Sequence, residues 1–421
     1  MRSIPATRRV PHLALAAVLV LAGCGNVSPS AAPTAAPSAA PPTGVAPTAS
    51  ARPAAEIYAE IRAAVESIRG LQPTKAVEPV ALDEAQLRTN LTADFDRENT
   101  PQELAIAQDL LITLGLLPAG SSLRTIMLDF QTGQVAGYYS PDKDELYVVS
   151  RSGGLGPAEM VTYAHEFTHQ LQDQRIDLET LGLDAVDQSD RQIGRLALVE
   201  GDATSVQGSW MTTNLTPQQL GELLRSSLDP KAIEALQKAP PFIRETALFP
   251  YEAGLGFVTA LTADGGYAAV DAAFRSPPDS TEQIIHPEKY VARETPATVT
   301  IPANVAARLG SGWTAGGQDT LGELILGIWL NQGGVSRAEA NAAAAGWGGD
   351  RLVILRGPDS ALGVGLVTTW DTAEDAAEFA AAAATAVGAR QPAGVVASDG
   401  PRTVRVAVGA RAADILAALA G

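Results

Sequence analysis

The sequence predicts an α+β chain, with a mainly helical region and one small β-hairpin up to about residue 300, then a small α+β unit. Three observations lead there. Apolar residues recur at three- and four-residue spacing in several blocks, as in helices with one buried face. Two short strand-like runs, residues 135–139 (VAGYY) and 146–149 (LYVV), flank the turn sequence Ser140-Pro141-Asp142-Lys143-Asp144, which is the pattern of a hairpin. After about Thr300, strand-like and helix-like segments follow in the order β-β-α-β-α. The length of 421 residues suggests more than one domain. With 46% hydrophobic and 18% charged residues, general disorder is excluded.

The amino terminus sets the compartment. Arg2, Arg8 and Arg9 precede an apolar run at residues 13–21 (LALAAVLVL), a charge-then-apolar order typical of signal peptides. The run ends in Leu21-Ala22-Gly23-Cys24, which resembles the lipobox of bacterial lipoproteins. That resemblance implies cleavage before Cys24, with lipid on its thiol and on the new amino terminus. The expected product is an exported protein anchored in the membrane of a bacterial cell envelope. Cys24 is the only cysteine, so neither an internal disulfide nor a cysteine-based zinc site is available. Removing residues 1–23 takes away three arginines and no acid, which moves the formal charge from −17 to −20. Such a surface has no basic face for nucleic acid, so no nucleic-acid partner is expected. Residues 24–55 are mostly Ala, Pro, Ser and Thr and read as an extended tether.

The globular elements follow in order. Ile57, Ile61, Val65 and Ile68 mark a helix that Gly70 stops. A second helix opens at Thr100-Pro101 and carries Leu104, Ala107, Leu110 and Leu111 to about Gly115. Residues 56–117 read equally as a prosegment or as an integral helical lobe. Residues 125–130 (TIMLDF) read as a strand ahead of the hairpin. Beyond 300, an apolar helix is expected at 321–330 and an Ala-rich one at 338–345. The strands at 351–355, 362–368 and 403–408 and the helices at 371–387 and from Arg411 complete the second unit, with no obvious chemistry of its own.

Chemistry concentrates after the hairpin. Gly156-Pro157 opens a helix containing His165-Glu166-Phe167-Thr168-His169, the HExxH pattern. Residues four apart lie one turn apart on one face, so both imidazoles can reach one ion. Glu166, beside the first ligand, can take a proton from an attacking water and return it to a leaving amine. A catalytic zinc needs a third protein ligand. No further histidine is near, and Glu200, an acid set in the apolar stretch Leu196-Ala197-Leu198-Val199-Glu200, is the expected one. Glu179 is the nearest competitor, and Asp202 is a candidate support for a ligand imidazole.

HExxH with a downstream helical glutamate resembles the gluzincin metallopeptidases, the thermolysin- and aminopeptidase-like clan. YAHEFTHQLQDQ and ALVEGDAT are the segments most similar to lipoprotein and secreted members of that clan. The resemblance, which spans roughly residues 120–290, implies a zincin-like catalytic domain over 56–300 and Zn2+ held by His165, His169 and Glu200. It also implies an edge strand, at 135–139 or 146–149, that takes extended peptide. The 31 residues between His169 and Glu200 exceed the spacing in some gluzincins, which leaves the substrate class open. For the donor that stabilises the oxyanion there are two candidates: Tyr251, opening an apolar helix, and His286, at the end of a Ser-Thr-capped one. The expected function is zinc-dependent hydrolysis of peptide or protein substrates. A zinc amidase acting on cell-wall peptides and a catalytically inactive metal-binding module are the alternatives. A structural site closed by four protein ligands would favour the last.

Overall fold

The structure is a computed structural model that describes residues 15–18, 52–150, 154–183, 185, 187–228, 230–390 and 393–420. Cys24 and residues 24–51 of the expected tether lie outside the described residues. No described helix is long and apolar enough to cross a membrane.

The fold is mainly helical α+β. Strand β1 (Leu15–Val18) precedes helix α1 (Ala54–Arg69), which ends at Gly70 in the left-handed conformation that glycine adopts most readily. Strand β2 (Pro79–Leu82) and helix α2 (Glu84–Glu98) follow, and neither was expected. The α2 start is a capping box in which Asp83 accepts from the Gln86 N–H while Gln86 accepts from the Asp83 N–H. Helix α3 (Pro101–Thr113) begins on the Thr100 cap as its sequence predicts.

Residues 125–130 correct the reading made from sequence. They lie inside helix α4 (Leu123–Gln134), not in a strand. The Ser122 hydroxyl caps the first turn by accepting from the Thr125 N–H, and Leu123, Ile126, Met127 and Phe130 then turn one face to the core. Strands β3 (Val135–Ser140) and β4 (Glu145–Val149) form the expected hairpin, with Tyr138 opposite Tyr147. β2 pairs with the far side of β4 in parallel, and β1 pairs antiparallel with the outer side of β3. Both candidate peptide-binding strands are therefore internal to this sheet, β4 between β3 and β2 and β3 between β4 and β1. Strand β1 lies within residues 1–23, the expected signal peptide, and its removal would open the outer side of β3.

Helix α5 (Pro157–Ile176) carries the HExxH residues and α6 (Ser189–Asn214) carries Glu200. Helices α7 (Pro217–Ser227) and α8 (Pro230–Lys238) lead to α9 (Pro241–Arg275), which is interrupted at Gly266 with φ 59°. Short helices α10 (Thr281–Ile285), α11 (Pro287–Val291) and α12 (Val305–Arg308) connect to the second unit. There β5 (Thr314–Asp319), α13 (Gly322–Gln332), α14 (Arg337–Ala344), β6 (Trp347–Arg356), β7 (Leu362–Trp370), α15 (Ala373–Gly388), β8 (Val395–Ser398), β9 (Thr403–Gly409) and α16 (Ala412–Leu419) build an antiparallel sheet of order β5-β6-β7-β9-β8. The expected β-β-α-β-α series is its centre, and β5 and β8 are added at the edges.

Three apolar clusters hold the site in place. Ile61 and Val65 of α1 pack with Val161, Phe167 and Leu171 of α5 and with Val206 and Trp210 of α6. Leu198 and Val199 of α6 pack with Phe257, Val258 and Leu261 of α9. Each such side chain contributes about 1.5–3 kcal/mol on leaving water. The third cluster joins Leu110, Phe130 and Ile243 to Trp329, Trp347 and Val404, so the second unit shares its core with the helical region. The start of α6 is also tied to that unit. The Ser189 N–H and hydroxyl donate to Asp319, the Asp190 N–H donates to the Thr320 carbonyl, and Arg351 pairs with Asp187 at 2.8 Å.

Candidate metal centre

From Val161 to Gln172 every residue of α5 is buried, so the polar side chains along that stretch need partners inside the protein. His165 and His169, one turn apart, bring their Nε2 atoms to 3.0 Å from one another. Glu200 Oε2 arrives from α6 at 3.1 Å from His165 Nε2 and 3.3 Å from His169 Nε2. A triangle of that size has a point about 2 Å from all three corners, the ordinary reach of zinc to imidazole nitrogen and carboxylate oxygen. Two nitrogen and one oxygen donors, buried and converging in this way, fit a zinc ion. Glu179 lies exposed on the turn after α5 and is not part of the trio.

The electrostatics agree with that fit. Burial pushes the Glu200 carboxyl up, but His169 and His165 outweigh it and hold it down at about 2. Burial pushes His165 down and keeps it neutral. Both are in the protonation state that a metal ligand needs. For His169 burial is again the largest single effect and acts downward, yet Glu200, Glu166 and Gln172 together raise it to about 9. The charge that favours a proton on His169 is the charge that would favour a dication in its place.

Beyond the three donors lies a polar chain of which the sequence pointed to Asp202 alone. His169 Nδ1 is 2.8 Å from Gln172 Oε1. The Gln172 amide donates to the Val199 carbonyl at 3.0 Å and to Asp202 Oδ2 at 2.9 Å. Asp202, the candidate support for an imidazole, thus reaches His169 through Gln172 rather than directly. Arg69, the last residue of α1, stands with Nε 2.8 and 2.9 Å from the two Asp202 oxygens and with Nη2 2.7 Å from Asp271.

Glu166 is fully buried beneath β3. Gly137 allows that approach: a Cβ there would stand 2.5 Å from Thr162 Cγ2, 2.7 Å from the Tyr147 carbonyl and 3.4 Å from Glu166 Cγ. Tyr251, in α9 directly after Pro250, stacks on His165 with ring centroids 6.1 Å apart and 29° between the planes. With Glu200 it opens onto a cavity of 320 Å³ whose walls include Phe130, Leu196, Phe242 and Pro250.

His286 does not join this group. It caps the end of α10 with its Nε2 3.0 Å from Glu323 Oε1 of α13, and no contact links it to the trio. Of the two expected oxyanion donors, the fold brings only Tyr251 to the centre. A second acidic group, Glu282, Glu294 and Asp371, is already filled by Lys289, whose Nζ lies 2.6–2.8 Å from each.

Residues 307–418, from the end of α12 to α16, match a family described as a domain of unknown function (DUF8575). The match covers the five-stranded unit and leaves His165, His169 and Glu200 outside it. No curated protein and no solved structure matches the chain.

Proposed function

We propose that the chain is a zinc metallopeptidase, exported and held at the membrane through lipid on Cys24, that hydrolyses peptide bonds in peptide or protein substrates. The observation that carries the reading is the convergence of His165 Nε2, His169 Nε2 and Glu200 Oε2 within 3.3 Å, with Glu166 on the same buried helix. His165, His169 and Glu200 would hold the zinc. When bound, that ion supplies Lewis acidity, lowering the pKa of a water and polarising a carbonyl. Glu166 accepts the proton of the attacking water and returns it to the leaving amine, a role worth about 10²–10⁴ in rate. The Tyr251 hydroxyl donates to the carbonyl oxygen as it gains negative charge. Once residues 1–23 are removed, the outer side of β3, which pairs with β1 here, would offer main-chain groups to an extended peptide. Among the described residues three protein donors converge, an arrangement that favours catalysis over a site closed by four protein ligands.

The test is metal analysis of wild type and Glu166→Gln beside cleavage of a peptide library. Zinc in both proteins with cleavage by wild type alone supports the reading, and a wild type that cuts no peptide overturns it.

A further inference from the structure

We infer that Arg69 is a positioning residue for the metal ligand His169, acting from α1 through Asp202 and Gln172. The inference rests on the zinc-site reading above.

The argument is one of hydrogen-bond polarity. A guanidinium has only donors, and Arg69 Nε donates to Asp202 Oδ2 while Oδ1 stands 2.8 Å from the same nitrogen, so the carboxylate faces Arg69 as an ion pair. The Gln172 amide group meets two acceptors on one side, Asp202 Oδ2 at 2.9 Å and the Val199 carbonyl at 3.0 Å. That side must therefore be its NH2, which turns its Oε1 toward His169. Oε1 can only accept, so His169 Nδ1 carries the hydrogen at 2.8 Å and Nε2 presents its lone pair to the centre. Each link is buried: Arg69 is 1% exposed, and Asp202 and Gln172 are fully enclosed. Arg69 is held in turn by Asp271 at 2.7 Å and by the Tyr267 ring, whose centroid is 4.8 Å from its Cζ. Arg69 fixes where the Asp202 carboxylate sits, and that carboxylate, with the Val199 carbonyl, sets which way the Gln172 amide points. Partners of this outer kind are typically worth 10–100-fold in metal affinity. It also follows that α1 belongs to the support of the centre and is not a prosegment that could be removed without loss.

The experiment measures zinc affinity by chelator competition and the absorption bands of the cobalt(II) form, on full-length protein. Arg69→Met with Asp202→Asn removes the buried ion pair, and the Asp271 carboxylate that loses Arg69 is partly exposed to water. The expected result is a 10–100-fold weaker zinc affinity and shifted cobalt bands, with melting in chelator close to wild type. Should that variant fail to fold, Arg69→Lys decides, because it keeps the buried charge but not the fork. It is expected to weaken zinc in the same direction while melting normally. Wild-type affinity and cobalt bands in whichever variant folds overturn the proposal. A wild type that takes up no zinc overturns both this inference and the site reading. A wild type that binds zinc and cuts no peptide removes only the peptidase reading, and the affinity data still decide the role of Arg69.

Discussion

Gly201 of α6 and Gly254 of α9 touch along bare backbone. A Cβ on Gly201 would stand 2.2 Å from the Gly254 carbonyl oxygen, and one on Gly254 would stand 2.1 Å from the Ala197 carbonyl oxygen. The crossing sits one residue after Glu200 and one helical turn after Tyr251, so it sets the depth at which both reach the centre. Gly201→Ala is expected to cost about 3 kcal/mol, the upper part of the range for overpacking, and to weaken zinc binding. Gly208 lies on the same helix with nothing within 4 Å of its added Cβ. Gly208→Ala should be neutral or stabilising by about 0.5–1 kcal/mol. Thermal melts of the two variants beside wild type check the contrast.

Glu166→Gln keeps the size of the side chain and removes its capacity to take a proton. The turnover number should fall by about 10²–10⁴ with one zinc per chain retained, as measured by single-turnover kinetics with metal analysis. Lost zinc in this variant would mean that Glu166 holds the centre together rather than serving the reaction.

Tyr251 and His286 separate cleanly by mutation. Tyr251→Phe leaves the ring on His165 and removes the hydroxyl, so kcat should fall by about 10²–10³ with KM little changed. His286→Ala breaks the contact with Glu323 on the outer connection and should leave kcat near wild type. Equal losses of kcat in both variants would contradict the placement of His286 away from the centre.

A pH effect on stability is expected from Asp190, near the start of α6. Burial raises its carboxyl to about 7, and Asp350 and Glu323 add to the rise, against hydrogen bonds donated by Thr281. A raised acid binds its proton more tightly folded than unfolded. Between about pH 4 and pH 7 the folded state therefore holds more protons, and stability falls as pH rises through that window. Asp190→Asn removes this dependence while keeping an acceptor for Thr281. Its melting temperature relative to wild type should rise steadily from pH 4.5 to pH 7.5. A constant difference would show that Asp190 does not titrate in that range.

Much of the centre was legible in the sequence because its signals are local. His165 and His169 are fixed by helical spacing alone, and Glu200 stood out as an acid in an apolar stretch, an arrangement that needs a partner. Tyr251 was one of two candidates because its position depends on a helix crossing that no local pattern encodes. Gln172 and Arg69 were missed for the same reason, since Arg69 meets Asp202 across 133 residues of chain. Residues 125–130 misled by composition: β-branched and aromatic residues suggested a strand, while the Ser122 cap and the 123–126–130 spacing made a helix. Strand β2 was too short to register, and its parallel pairing with β4 is a wholly non-local event.

The ties between the first turn of α6 and the loops of the sheet unit bear on how the molecule comes apart. Glu200 lies eleven residues beyond Ser189, about 16 Å along the same rigid helix. Loosening the sheet unit would release the anchored turn and slacken the carboxylate at the other end of that lever. The helical region and the unit matching DUF8575 should accordingly melt as a single cooperative block. Calorimetry is expected to record one endotherm, and a protein cut near residue 300 would lose its metal long before its helices.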